Sequence, residues 1–217
     1  MNRHNTRSST YITAMIGIFI ILSYLFWNFS KVVSKTELVS LDIIAIDMIQ
    51  GQISERMTPI MSIFTFLGST TWLALTTMFI FIMLFIKKRK LEAFLFVGTM
   101  AFSGIFNQLL KMLYHRPRPT IQPLVEATGY SFPSGHSMAS FTFYGLLAFF
   151  IILKLNHLTG KIAVITLSLL LILFIGVSRI YLGVHYPTDV LAGYTAGIAT
   201  LIIFFIANHL IVSKANK

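Results

Sequence analysis

Cysteine is absent from this sequence, and charged residues make up only 11% of its 217 residues. Without cysteine the chain has no disulfide bond, no thiol nucleophile and no zinc site built on cysteine ligands. A typical soluble domain carries about 25% charged residues, so the shortage of charge argues against a soluble protein. Since 56% of the residues are hydrophobic and the mean hydropathy is +0.79, the composition indicates a membrane protein.

Acidic residues are the scarcest charged class: 7 Asp and Glu stand against 17 Lys and Arg, which gives a formal net charge of +10. So basic a chain is also typical of nucleic-acid binding. Here, however, most basic residues form short clusters between apolar runs, as the topology signals of membrane proteins do. We therefore expect membrane lipids as partners and no nucleic acid.

Six apolar segments approach the length of about twenty residues that is needed to cross the hydrocarbon core. They are 11–29, 70–86, 91–113, 137–153, 162–178 and 189–211. Backbone groups must be satisfied within the chain in lipid, and period-two alternation is absent, so these segments are predicted as helices. The first lacks the cleavage site of a signal peptide and is longer than a signal core, which predicts an uncleaved helix. The fold class is therefore all-α, a polytopic membrane protein with one membrane-embedded domain over residues 1–217.

Residues 30–56, between the first two predicted helices, mix apolar side chains with charged ones such as Lys35, Asp42 and Asp47. This mixture predicts an amphipathic segment at the membrane interface. The stretch 59–67 that follows is apolar and ends at Gly68-Ser69. The second helix is therefore expected to start at residue 70, or to start earlier and be broken at this pair.

Lysine and arginine in the connecting segments indicate the orientation, because cytoplasmic loops are enriched in them. With a cytoplasmic amino terminus, ten basic residues lie inside and seven outside. The inside set is Arg3, Arg7, Lys87, Lys88, Arg89, Lys90, Lys154, Lys161, Lys214 and Lys217, and the outside set is Lys31, Lys35, Arg56, Lys111, Arg116, Arg118 and Arg179. We therefore expect a multi-pass protein of the cytoplasmic membrane with both termini in the cytoplasm. The breaks at 111–136 and 178–189 then face outward.

The first of these breaks brings two cations and a helix start together. Lys111 closes the third predicted helix, and Arg118 follows in the proline-stiffened "RPRP", which favours extended neighbours and directs Arg118 toward Lys111. "PSGH" then opens the fourth helix. The backbone N–H groups of Ser134 and Gly135 meet the positive end of that helix, which makes a ready anion site, and His136 follows.

The second break, "SRIYLGVHYPTDV", adds a cation, a histidine and a carboxylate. Arg179 ends the fifth helix, His185 precedes the sixth, and Asp189 is near enough to accept the ring N–H of His185 and fix its tautomer. Taken alone, these residues are equally typical of a snorkelling arginine and a capping aspartate at helix ends. Combined with the first break they indicate phosphoryl transfer, in which cations neutralise phosphoryl oxygens, one histidine attacks and the other protonates the leaving oxygen.

Three motifs in these breaks resemble the signatures of the type 2 phosphatidic acid phosphatase superfamily. They are K-x6-R-P from Lys111, P-S-G-H from Pro133 and S-R-x5-H-x3-D from Ser178, in the family's order and with its internal spacing. The resemblance implies that His185 is the nucleophile, Asp189 its orienting partner and His136 the general acid. It also implies a phosphoryl-binding set and no metal or other cofactor. That set is Lys111, Arg118, Ser134, Gly135 and Arg179.

We expect from this resemblance an integral membrane lipid phosphatase that acts at the outer membrane face. Its substrate class would be undecaprenyl pyrophosphate, phosphatidylglycerophosphate or phosphatidic acid, with no obligate protein partner. A phosphotransferase that uses the same site, and a transporter that binds an anion without chemistry, remain open. Arg116 and His115 are expected at the rim, in contact with the headgroup. The G-x-x-x-G at Gly193 and Gly197 predicts close packing between helices within the chain.

Overall fold

The computed structural model describes residues 3–33, 40–120 and 123–215, and within these ranges the regular secondary structure is entirely helical. The helices are α1 Arg3–Val33, α2 Ser40–Gln50, α3 Met57–Leu67, α4 Thr70–Ile86, α5 Lys90–Tyr114, α6 Gly135–Ile152, α7 Leu158–Tyr181 and α8 Pro187–Ala215. The all-α prediction is therefore confirmed for this part of the chain.

Five of the described helices are long and apolar enough to cross a membrane. These spans are Thr10–Lys31, Lys90–Tyr114, Gly135–Ile152, Leu158–Tyr181 and Pro187–Ile211. The sixth predicted segment is short by itself, but α3 and α4 pass the same test together as a pair bent by 45°. The number of spans is therefore five, or six if the bent pair crosses once.

The break between α3 and α4 lies at Gly68-Ser69, as one of the two alternatives predicted. Ser69 caps α4 by accepting a hydrogen bond from the amide of Trp72 at 3.2 Å. A Cβ atom on Gly68 would lie 2.5 Å from Cγ2 of Ile175 on α7 and 2.9 Å from Oγ of Ser140 on α6. Glycine is therefore required here because the bend is pressed against two neighbouring helices.

The segment between α1 and α3 differs in part from the predicted interfacial stretch. α1 continues to Val33, so residues 30–33 belong to the first helix, and residues 34–39 lie outside the described residues. α2 exposes Leu41 and Ile44 while it buries Asp42 and Ile46, which share a face because they are four residues apart. The location of α2 at the interface stays a prediction.

α6 is the central helix and packs against α5, α7 and α8, while α1 packs against α8. The crossing of α6 and α8 is close because α8 presents glycine there. A Cβ atom on Gly193 would lie 2.7 Å from the carbonyl oxygen of Ser134, and one on Gly197 would lie 2.7 Å from Cβ of Phe141. Small residues let helix backbones approach in lipid, and the predicted packing role of this G-x-x-x-G is confirmed.

Candidate active site

A cavity of about 990 Å³ opens where the end of α5, the start of α6 and the end of α7 meet. Six predicted site residues line it together: Lys111, Arg118, Gly135, His136, Arg179 and His185. The rest of the cavity runs between α4 and α5, where the lining is mainly small or apolar. That part includes Leu73, Ala74, Met78, Val97, Met100 and Ala101. The cavity therefore joins a cationic end to an apolar channel.

The orientation of His185 follows from two of its hydrogen-bond partners, Arg118 and Asp189. On one side, Nη1 of Arg118 lies 3.3 Å from Nε2, and a guanidinium only donates hydrogen bonds. Nε2 must therefore carry the lone pair. The ring proton is then on Nδ1, which donates to Oδ2 of Asp189 at 3.3 Å. Nε2, the ring nitrogen without a proton, thus points toward Arg118.

His185 is neutral at physiological pH. Burial lowers the pKa of its ring to about 4, and the charges of Arg179 and Arg118 lower it as well. The hydrogen bond to Asp189 and the charge of that carboxylate raise the pKa and offset part of this effect. Since only a neutral imidazole has a free lone pair, Nε2 is available as a nucleophile.

Asp189 is fully buried and both of its oxygens are occupied. Oδ1 accepts from Nη1 of Arg116 at 2.6 Å. Oδ2 accepts from the amide of Tyr186 at 2.9 Å and from the hydroxyl of Ser131, in addition to His185. The carboxylate is consequently fixed before any substrate arrives, and the orientation of the imidazole with it.

Arg118 and Lys111 are held by the loop that precedes α6. Nε of Arg118 donates to the carbonyl of Gly129 at 3.0 Å, and Nη2 donates to that of Thr128 at 2.8 Å. The ammonium of Lys111 donates to the next carbonyl, that of Tyr130. These three consecutive carbonyls therefore bring the two predicted cations into one cavity wall.

Arg179 reaches the cavity from the last turn of α7. Its Nη1 donates to the hydroxyl of Thr65 on α3, so the guanidinium ties these two helices together. Its Nε is buried and has no hydrogen-bond partner among the described residues. A buried donor without a partner is unusual in proteins, and here it belongs to a cation that lines the cavity.

The chain resembles known proteins both in sequence and in fold. A family profile described as the PAP2 superfamily matches residues 92–211, more than half of the chain. The chain belongs to the PAP2 superfamily. Over 158 residues it is 34% identical to phosphatidylglycerophosphatase B of Bacillus subtilis strain 168, with 72% of this chain and 74% of the relative covered.

Two further comparisons agree with this membership of the PAP2 superfamily. Undecaprenyl-diphosphatase BcrC of the same strain is 29% identical over 150 residues, which covers 66% of this chain and 72% of the relative. The crystal structure of a transmembrane PAP2-type phosphatidylglycerolphosphate phosphatase from Bacillus subtilis superposes with a TM-score of 0.78 at 27% identity, and 88% of this chain and 94% of that chain are covered. The PAP2 protein is therefore a phosphate-ester hydrolase and an integral membrane protein.

Ser134 is the predicted phosphoryl-binding residue of the PAP2 protein that does not line the cavity. Its side chain is fully buried, and its hydroxyl caps α6 by accepting from the amide of Ser137 at 3.4 Å. Its own amide donates to the carbonyl of Asp189 at 3.0 Å, so this N–H is already used. The structure places Ser134 behind the site, where it joins the starts of α6 and α8. The helix-start amides left for an anion are those of Gly135 and His136.

Gly135 lines the cavity, and its lack of a side chain has a second cause. A Cβ atom there would lie 2.9 Å from Oδ1 of Asn107 on α5. The amide nitrogen of Asn107 donates to the carbonyl of Pro133 at 3.3 Å, which holds the carboxamide in place. Glycine at 135 therefore allows α5 to approach the start of α6 as well as an anion to approach its amide.

The rim prediction for Arg116 is wrong. Arg116 is only 8% exposed and forms ion pairs with Asp189 and with Asp42 of α2. Both Arg116 and Arg118 precede a proline, so the local sequence gives no sign that Arg116 is buried behind the cavity. His115 is exposed at the end of α5, in the left-handed conformation, with its ring edge-on to Tyr130 at 4.5 Å.

Asp42 is a charged residue at this site that the motifs did not indicate. It is fully buried against Arg116 and Thr188, although 146 positions separate it from Thr188 in the chain. Across the described parts of the chain, no group of three or more His, Asp or Glu side chains is placed to hold a metal ion. Metal independence remains a prediction.

Proposed function

We propose that this PAP2 protein hydrolyses a phosphate or diphosphate monoester of a lipid, without a metal ion, through a phosphohistidine on His185 at the outer face of the cytoplasmic membrane. One observation carries the proposal: the bare Nε2 of a neutral His185 lies beside Arg118 in a cavity that continues between the apolar walls of α4 and α5. The relatives named phosphatidylglycerophosphatase and undecaprenyl-diphosphatase support the lipid substrate class.

Binding of the phosphoryl group relies on charge and on the helix start. Lys111, Arg118 and Arg179 contribute three positive charges to one cavity. The amides of Gly135 and His136 add donors at the positive end of α6. Because charge accumulates on the equatorial oxygens as phosphorus is attacked, fixed cations of this kind stabilise the transition state more than the ground state.

The reaction proceeds in two displacements. Nε2 of His185 forms a bond to phosphorus while the bond from phosphorus to the leaving oxygen breaks. His136 acts as the imidazolium, which the negative charge of the bound phosphoryl group favours, and gives its proton to that oxygen. Water then attacks the phosphohistidine and loses a proton to His136, which restores it, and the N–P bond breaks. The sum is one water consumed, one lipid alcohol (or lipid monophosphate) formed and one phosphate released. Asp189 holds the ring of His185 throughout and stabilises its positive charge.

The apolar channel explains how a lipid reaches this chemistry. The cationic residues lie at one end of the cavity, and small side chains such as Ala74 and Ala101 keep the space between α4 and α5 open. A headgroup in the cationic end leaves the hydrocarbon chain in that space, in contact with the bilayer. Orientation follows from the basic cluster at Lys87–Lys90, which favours the cytoplasm at the opposite end of α4.

Phosphate release by the purified protein tests the proposal. The substrates are phosphatidylglycerophosphate, phosphatidic acid and undecaprenyl diphosphate in detergent, each with and without EDTA. His185→Ala is expected to lower turnover by roughly three orders of magnitude or more. His157→Ala, an exposed histidine that does not line the cavity, is the matched control.

Trapping the intermediate separates hydrolysis from other uses of the site. His136→Ala slows both displacements for a lipid alcohol, so the trapping experiment uses a labelled phosphate ester whose leaving group needs no proton, such as a nitrophenyl phosphate. Only the hydrolysis step then lacks His136, and we expect a phosphoenzyme that is labile to acid and stable to alkali to accumulate. Near-normal activity of His185→Ala, or strict dependence on an added metal, would overturn the mechanism. If phosphate appears only on an added acceptor alcohol, the protein is a phosphotransferase.

A further inference from the structure

A buried ionic group lies behind His185, and of its members the proposed reaction uses only Asp189. It consists of Asp42 from α2, Arg116 from the segment after α5, and Thr188 and Asp189 from the first turn of α8. Neither carboxylate has exposed surface, and the guanidinium is 8% exposed. Buried charges are costly unless they are paired and hydrogen-bonded, so an arrangement of three of them beside a nucleophile calls for a physical role.

Arg116 is the centre of this group. Its Nη1 donates to Oδ1 of Asp189 at 2.6 Å and to Oγ1 of Thr188 at 2.8 Å. Its Nη2 donates to Oδ2 of Asp42 at 2.9 Å. The guanidinium also lies over the ring of Tyr186, 3.9 Å from the centroid. The plane of Arg116 is therefore fixed on three sides.

Asp42 reaches the same place from a different part of the chain. Its Oδ1 accepts from the amide of Thr188 at 2.9 Å, and its Oδ2 accepts from Oγ1 of Thr188 at 2.8 Å as well as from Arg116. The amide of Thr188 is in the first turn of α8 and has no partner within that helix. Asp42 therefore caps α8 from outside, at the end where negative charge is favoured.

We propose that Asp42 and Arg116 are positioning residues for the nucleophile, which act on His185 through Asp189. Arg116 occupies Oδ1 of Asp189, which leaves Oδ2 for Nδ1 of His185. Asp42 holds both Arg116 and the start of α8, the helix that carries Asp189. This inference rests on the proposed function, because it assumes that His185 attacks phosphorus.

The charges of this group predict a signature in the pH profile. The charged and polar groups that face His185 are Asp189 of α8, Arg118 and Ser131 of the loop between α5 and α6, Arg179 of α7 and His136 of α6. Of these, Asp189 raises the pKa of His185. The positive charge of Arg116, which is paired with Asp189, acts in the opposite direction. We therefore expect the pKa of His185 to rise when the charge of Arg116 is removed, and to fall when the charge of Asp42, which is paired with Arg116, is removed.

The test uses variants that separate charge from geometry. Arg116→Gln removes the charge, Arg116→Lys keeps the charge but loses the fork of donors, and Asp42→Asn keeps the shape but loses the charge. The matched controls are Asp47→Asn, an exposed carboxylate on the same helix, and Arg56→Gln, an exposed arginine before α3. Steady-state kinetics on a short-chain lipid phosphate are measured from pH 3.5 to pH 8, together with thermal unfolding in detergent.

We expect kcat to fall between about tenfold and a hundredfold in Asp42→Asn and Arg116→Lys, because a small displacement of the nucleophile costs that much. KM should stay within about twofold. The acid limb of kcat/KM should move about half a unit upward in Arg116→Gln and downward in Asp42→Asn, and stay unmoved in Arg116→Lys. A residue with a structural role alone gives no such opposite shifts.

Folded Asp42→Asn and Arg116→Lys proteins that match the controls in kcat and in the acid limb would overturn the inference. If Arg116→Gln does not fold, these two variants decide the question. The result is distinguishable from failure of the proposed function, because that failure appears as an active His185→Ala. If Asp42→Asn has unchanged kinetics and His185→Ala is inactive, the positioning role is refuted and the proposed function is not.

Discussion

Nη1 of Arg118 lies 3.3 Å from Nε2 of His185 and 2.8 Å from the carbonyl oxygen of Val184. The same guanidinium that is proposed to bind phosphate therefore also fixes the tautomer of the proposed nucleophile. We expect a phosphoryl group that enters the cavity to take the place of His185 as acceptor for this N–H. In that case substrate binding would itself release the lone pair of Nε2.

Arg118→Lys should lower kcat/KM by between about tenfold and a hundredfold, although it keeps the charge. A lysine ammonium lacks the planar fork that donates to Gly129 and Thr128, so its position in the cavity is not fixed. Steady-state kinetics with a short-chain lipid phosphate measure the loss, with Arg56→Lys as the matched control. Activity within about twofold of the unsubstituted protein would contradict the anchoring role of these carbonyls.

The pH profile should reflect the titration of His185. Because burial lowers the pKa of its ring to about 4, the nucleophile is deprotonated at neutral pH and is lost as a proton binds on acidification. kcat/KM should fall about tenfold per pH unit below that value. In Asp189→Asn the acid limb of the residual activity should move to lower pH, because the carboxylate that raises the pKa of His185 is gone. An upward shift of the limb in that variant would contradict the assignment.

Gly193→Ala should destabilise the bundle where α8 crosses α6. The added Cβ would meet backbone atoms, the carbonyl oxygen of Ser134 at 2.7 Å and the amide nitrogen of Met138 at 3.2 Å, which cannot rotate away. Overpacking of this kind costs about 1–3 kcal/mol, so the thermal unfolding midpoint should fall, and activity with it. Gly98→Ala is the control, because nothing lies within 4 Å of its added Cβ. Equal midpoints for the two variants would refute the close contact.

The sequence predicted those parts of the site that lie within one motif or at one helix end. Lys111, His136, Arg179 and His185 line one cavity as expected, because helix ends that carry their polar groups in lipid must converge on a shared polar space. The five long spans were predictable for a similar reason: apolar length alone decides them. The sequence did not decide whether the second helix starts at residue 70 or starts earlier and is broken at Gly68, because a glycine is compatible with either arrangement.

Contacts between distant segments were not predictable from local pattern. Asp42 read as one charge among several in an amphipathic stretch, and its partners Arg116 and Thr188 lie in other segments of the chain. A weak signal was present, because Asp42 shares a helix face with the buried Ile46. Ser134 was assigned to phosphate because its motif opens a helix, whereas its hydroxyl caps α6 and its amide donates to the carbonyl of Asp189 in α8.

The side of the membrane on which the site lies can be tested because the chain has no cysteine of its own. Leu124→Cys places a thiol on an exposed position of the loop beside the cavity, and Lys88→Cys places one at the far end of α4. In right-side-out bacterial vesicles a membrane-impermeant maleimide should label Leu124→Cys at once and Lys88→Cys only after detergent is added, because the cluster of basic residues around Lys88 favours the cytoplasm. Both variants must retain phosphate release, and the detergent-treated sample shows that each thiol is reactive. Labelling of Lys88→Cys alone in sealed vesicles would place the site on the cytoplasmic side and overturn the outward orientation.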